Sequence, residues 1–155
     1  AMRAGSSGYV HHNFIHHCQR QGLGYGVLID RSRPLIEANV LDQCRHVIAA
    51  TGRPGTAYEA RYNFIGRNAT GHTFDMHAAP ESKRQLMAGD WIHIHHNTVE
   101  QRSWAVLALR GTSAQTSRVH HNWFDGRPVG RGVVHHGRGN LVVENNAWSS
   151  KKYVK

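Results

Sequence analysis

A short pattern recurring six times, strand-like runs between its copies and the lack of a sustained helical period together predict an all-β fold. The specific expectation is a single-stranded right-handed parallel β-helix solenoid of about six coils, with an asparagine ladder along one corner. Residues 1–155 fit one such domain, long enough to bury a core and too short for two ordinary domains.

The pattern reads apolar residue, two variable residues, Asn, any residue, then an apolar or aromatic residue. Its copies span 10–15, 36–41, 60–65, 94–99, 119–124 and 143–148, with Asn13, Asn39, Asn63, Asn97, Asn122 and Asn146 at the fixed position. Spacings of 26, 24, 34, 25 and 24 residues between these asparagines describe a regular unit with one insertion. Between the copies lie runs of strand character at 26–29, 46–50, 72–77, 104–109 and 132–136. Turns such as Arg53-Pro54-Gly55-Thr56 and Gly137-Arg138-Gly139-Asn140 separate them. Stacking such units sets equivalent strands about 4.8 Å apart, so the coils rise roughly 29 Å as three narrow parallel sheets. The ladder Asn is expected to take the unusual backbone angles of a tight turn while its amide bonds the coils above and below.

These motifs, among them His-His-Asn-Thr-Val at 95–99 and Glu-Ala-Asn-Val-Leu at 37–41, resemble the pectate-lyase-like superfamily of right-handed parallel β-helices over nearly the whole chain. That resemblance implies the fold and selects no reaction, because lyases, hydrolases, epimerases, phage tailspikes and binding proteins share such repeats. Cys18 and Cys44 each follow their ladder Asn by five residues, which predicts neighbours in adjacent coils, either stacked interior thiols or a disulfide. Phe14, Phe64, Trp123 and Trp148 are expected to pack in the core or turns, and His12, His96 and His121 to stack inward. The short segments outside the first and last copies offer little end cap. A part of a longer β-helix, or ends covered by another subunit in an end-to-end oligomer, is expected.

The chain carries 19 Lys and Arg against 10 Asp and Glu, a formal net charge of +9, and 14 histidines. An anionic partner is favoured, an acidic carbohydrate first; nucleic acid is disfavoured because the basic residues are spread over loops without a recognition motif. No apolar run reaches bilayer-spanning length and residues 1–8 lack the hydrophobic stretch of a signal peptide. A soluble chain without a membrane partner is expected, its compartment left open.

Strand parity places the candidate site. If Val10, Ile36, Ala60, Ile94, Val119 and Val143 face the core, then His11, Glu37, Arg61, His95, His120 and Glu144 form an outer column. Tyr9, Leu35, Glu59, His93, Arg118 and Val142 form its companion. One chemistry uses Glu59, Arg61, His95 and Glu37 as catalytic groups, with an Arg or His removing the proton α to a uronate carboxylate; this is the β-elimination that the resemblance implies. Another places one divalent metal ion, Zn or similar, on ligands drawn from His93, His95, His120, Asp75 and His77. Phe74 and Met76 suit the core, which turns Asp75 and His77 outward. No organic cofactor is expected. Trp91, Arg53, Lys83 and Arg84 are the candidate substrate-binding residues, with Arg110 a further basic loop residue and the inserted loop 78–90 expected to line the cleft. The function read from these features is a carbohydrate-active lyase or hydrolase acting on an acidic polysaccharide at a His-rich outer face. A metal-dependent hydrolase of small esters or phosphoesters is the first alternative, and a non-catalytic carbohydrate-binding or structural β-helix the second.

Overall fold

The computed structural model of the chain describes residues 7–80, 86–101, 105–125, 133–135, 137 and 140–148. Lys83, Arg84 and Trp104 lie outside the described residues, as does part of the inserted loop. Alternation of apolar and polar residues gives each coil three short strands, and equivalent strands pair in parallel with those of the next coil. The first sheet has six strands, Tyr9–His11, Leu35–Glu37, Ala57–Arg61, Trp91–His95, Ser117–His120 and Leu141–Glu144. The second also has six, Phe14–Ile15, Val40–Leu41, Phe64–Ile65, Thr98–Val99, Trp123–Phe124 and Ala147–Trp148. Tyr25–Ile29, His46–Ala50, Phe74–Met76, Leu107–Leu109 and Val133–His135 make a five-stranded third sheet. The result is a parallel β-solenoid of five complete coils and the first two strands of a sixth. No helix among the described residues is long and apolar enough to cross a membrane.

The predicted inward column is in register, Val10 over Ile36, Ala60, Ile94, Val119 and Val143. Its middle members are fully buried against Leu41, Ile65 and Phe124 of the second sheet and Ile48, Phe74, Met76 and Leu109 of the third. Burial of each such large side chain contributes about 1.5–3 kcal/mol. Cys18 and Cys44 pair across adjacent coils and both thiols are free. Burial, and then Cys18 beside it, push the Cys44 thiol up to about 12, which leaves it unreactive.

The six asparagines line up as a hydrogen-bonded row. Each Nδ2 donates to the Oδ1 of the next coil's Asn, at 3.0 Å from Asn13 to Asn39, 3.0 Å to Asn63, 2.9 Å to Asn97, 3.0 Å to Asn122 and 2.9 Å to Asn146. The corner differs from expectation in one respect. The left-handed backbone falls on the residue before each Asn, with φ of 53° at His12, 52° at Ala38, 54° at Tyr62, 55° at His96, 53° at His121 and 51° at Asn145. Those side chains therefore splay outward, and the expectation that His12, His96 and His121 stack inward is corrected: all three are exposed. The Asn side chain takes the inward place instead because only it can satisfy the buried turn carbonyls and the amide of the neighbouring coil. A second correction concerns the aromatic residues of the repeat. Phe14 and Phe64 are 65% and 41% exposed and point away from the core. Trp148, by contrast, packs on Phe124 with ring centroids 4.4 Å apart.

Candidate active site

On the outer face of the first sheet the structure reproduces both predicted columns in register. Arg61 donates to Glu37 at 2.9 Å and to Glu59 at 3.1 Å, and Glu59 lies 3.1 Å from His95 Nε2. Hydrogen bonds from Tyr9 and then Arg61 hold the Glu37 carboxyl below the usual range. The rings of His95 and His120 stack with centroids 5.0 Å apart, and Trp91 leans on His93 at 4.5 Å. His95 Nδ1 meets His96 Nδ1 at 2.8 Å, as His120 meets His121, so one nitrogen of each pair holds the proton and the other accepts it. Glu37, Glu59, Arg61 and His95 thus occupy one another, and this face presents a network closed on itself.

The five predicted metal ligands do not converge. His93, His95 and His120 belong to the first sheet, whereas Asp75 lies on the third with His77 directly after it. Of the predicted substrate-binding residues, Trp91 borders the first-sheet face and Arg53 pairs with Asp30 at 3.2 Å.

A second cluster forms around Asp75. Phe74 and Met76 fill the core, so strand parity turns Asp75 to the outside, yet it is 0% exposed. Arg110 donates to both carboxylate oxygens, Nε to Oδ1 at 2.8 Å and a terminal nitrogen to Oδ2 at 2.7 Å. His77 Nε2 stands 3.3 Å from Oδ2 and His46 Nδ1 3.4 Å from it. Burial pushes the Asp75 carboxyl up, but hydrogen bonds from His77 and Arg110 outweigh it and hold the group at about 2. Asp75 is therefore a buried anion at neutral pH. His77 is partly exposed, and with its Nε2 directed at a carboxylate the proton belongs there, leaving Nδ1 as an acceptor. The His72 amide donates to His46 Nδ1 at 3.0 Å, which puts the His46 proton on Nε2, a buried nitrogen that meets no acceptor.

Two glycines allow close approach at this cluster. At Gly52, with φ +67°, an added Cβ would stand 1.7 Å from the His77 carbonyl oxygen, and at Gly71 it would lie 2.9 Å from the His46 ring. On the connections between the second and third sheets lies an open cleft of about 350 Å³ lined by Gln19, Arg20, Gln21, Gly22, Arg45 and Thr70. Arg45 immediately precedes His46, and neither Arg20 nor Arg45 forms an ion pair with a described residue.

Burial pushes the His46 imidazole down to about 4, against the attraction of Asp75. The unfolded chain binds that proton near pH 6.5, so stability is full above this pH and declines as pH falls from 6.5 to 4, by about 3 kcal/mol. Thermal melts should show a midpoint roughly 6–12 °C lower at pH 4 than at pH 7. His46→Phe should flatten that slope; an unchanged slope contradicts the burial of a neutral ring.

Among the described residues, His46, Asp75 and His77 are the one group of three metal-ligating side chains whose ligand atoms lie within 4.8 Å of one another. A divalent ion on Asp75 Oδ2 would share that oxygen with Arg110, whose donor is 2.7 Å away, and would face the guanidinium charge at close range. The donor set suits a hydrogen-bonded acid–base network. The sequence pairs Asp75 with His77 and offers Arg110 only as a basic loop residue, and it singles out neither Arg20 nor Arg45. A charged residue in a column otherwise made of small or apolar ones was the available signal. Comparison of the chain with protein-family models, curated proteins and solved structures returns no match.

Proposed function

We propose that the chain is a carbohydrate-active enzyme that cleaves an acidic polysaccharide by β-elimination, with His77 as the base. One observation carries the reading. Through the third sheet the outward column runs Leu28, Ala49, Asp75, Ala108, so the stacked coils require no charge there. A buried ionised carboxylate destabilises the fold unless it is paired, and this one is paired with Arg110 and His77, with the neutral His46 ring beside it and the space that two alanines leave open. Such concentrations of perturbed, partnered groups occur where proton transfer is needed.

Asp75 fixes the His77 tautomer and stabilises the imidazolium that forms when Nδ1 takes a proton, while Arg110 keeps Asp75 ionised. Arg20 and Arg45 supply cations for a uronate carboxylate, and their charge favours the enolate-like species produced by loss of the proton α to it. The electron pair then expels the glycosidic oxygen at the β position, which takes a proton from solvent, and leaves an unsaturated uronate. Hydrolysis through paired carboxylates is a poorer match, because Asp75 is the one acid in the cluster and is committed to Arg110. The net charge of +9 and the β-helix repeat also favour an anionic polymer.

Incubation with α- and β-linked polyuronates should give a product absorbing in the ultraviolet from at least one of them, with none from neutral glucans. New reducing ends without that absorbance would identify hydrolysis, and no cleavage of any polyuronate would overturn the reading.

A further inference from the structure

The outward column of the second sheet carries a pattern that packing does not explain. In register it reads Phe14, Val40, Phe64, Thr98, Trp123, Ala147. Large aromatic residues occupy the first, third and fifth coils, and smaller residues the coils between. Phe14 is 65% exposed, Val40 43% and Phe64 41%, while Trp123 is half-buried. Exposed apolar side chains along one face cost solubility and invite association, so this column marks a contact surface.

The spacing identifies what the surface fits. Rings two coils apart are separated by about 9.6 Å, twice the inter-strand distance. An extended β-1,4-linked hexopyranose chain is a two-fold ribbon in which every second sugar presents the same face, at a repeat close to that length. Sugar rings offer a flat patch of C–H bonds that stacks on an aromatic face, and the smaller residues between leave room for the alternate sugars. An α-1,4-linked chain coils and loses this match after one contact. On the neighbouring corner the exposed Tyr62, His96 and His121 rings run alongside, with Tyr62 to His96 at 5.2 Å and His96 to His121 at 5.4 Å. They place hydrogen-bonding edges where sugar hydroxyls would lie.

We infer that this aromatic row is a binding track for an extended β-1,4-linked polysaccharide lying parallel to the solenoid axis. The acidic character of that polymer rests on the proposed function; the track itself does not. It borders the connections that carry Arg20 and Arg45, so it holds polymer beside the cleft without contributing to proton transfer.

The test is calorimetric titration with a β-1,4-linked mannuronate hexamer, an α-1,4-linked galacturonate hexamer and the neutral β-1,4-linked glucose hexamer. Wild type should bind both β-linked hexamers more tightly than the α-linked one. Phe64→Ala and Phe14→Ala should each weaken β-linked binding about tenfold, as expected for loss of one stacking contact, while Val40→Ala leaves it within twofold. Both phenylalanines are exposed, so circular dichroism should show each variant folded. With cleavable polymer, Phe64→Ala should raise KM and leave kcat unchanged, whereas failure of the elimination reading would show as no turnover with the binding pattern intact. Equal affinity of wild type and Phe64→Ala, equal binding of the α-linked hexamer, or no binding of any hexamer would overturn the track. Loss of self-association in Phe64→Ala with glycan binding unchanged would overturn it in favour of a contact between copies.

Discussion

Asp75→Asn should lower kcat by about 10³–10⁴-fold on whichever polyuronate the wild type cleaves, with little change in KM. The substitution keeps the size of the side chain and removes its charge. An amide can turn its NH₂ toward His77 Nε2, which moves the imidazole proton to Nδ1 and blocks the base, and it no longer stabilises the imidazolium. Stability responds differently. Breaking a buried pair costs about 3–5 kcal/mol when the partner stays trapped, but the Arg110 side chain is 37% exposed and can turn to water, so about 1–2 kcal/mol is expected. The catalytic loss, roughly 4–5 kcal/mol in barrier, exceeds the folding loss. A folded, inactive protein is thus the expected outcome, and near-normal kcat would remove Asp75 from the mechanism.

Asn63→Ala should be the most damaging single change to the fold outside the hydrophobic core. Asn63 Oδ1 accepts from the backbone amide and the side chain of Asn39, both at 3.0 Å. Its Nδ2 donates to the Ile36 carbonyl and to Asn97 Oδ1, both at 2.9 Å. Asn39, Asn63 and Asn97 are almost fully buried, so truncation strands several polar groups away from water, at about 1–3 kcal/mol each where no water enters. A total near 3–5 kcal/mol lowers the melting midpoint by roughly 10–15 °C for a chain of this size. Asn13→Ala, at the exposed end of the row, should cost only about 1 kcal/mol. Equal melting of the two variants would show that the row does not act as a buried network.

The fold was legible because a solenoid writes its contacts into the sequence as a period. Once the asparagines are aligned, register follows for every strand of the first sheet, and the juxtaposition of Glu59 with His93 or Arg61 with His95 needs no further information. The corner was less legible. Asn tolerates a left-handed backbone, but here its amide is needed inside the turn, and the strain moves to its neighbour even when that neighbour is Tyr62. The aromatic row was misread because Phe14 and Phe64 look apolar in isolation, and their outward direction depends on how the chain bends after Asn13 and Asn63. The Asp75 cluster was half visible. Parity identified Asp75 and His77 as outward, but their convergence with Arg110 from the next coil and His46 from the previous one depends on side-chain reach across coils, which a repeat pattern does not encode.

The location of the chemistry is tested most directly by initial rates of unsaturated-product formation for Asp75→Asn and Glu59→Gln, measured side by side on one polyuronate. Collapse is expected in the first and a rate within about threefold of wild type in the second, since Glu59 belongs to the closed network of the first sheet. Collapse in Glu59→Gln with Asp75→Asn active would place the reaction on the first-sheet residues and remove it from Asp75 and His77.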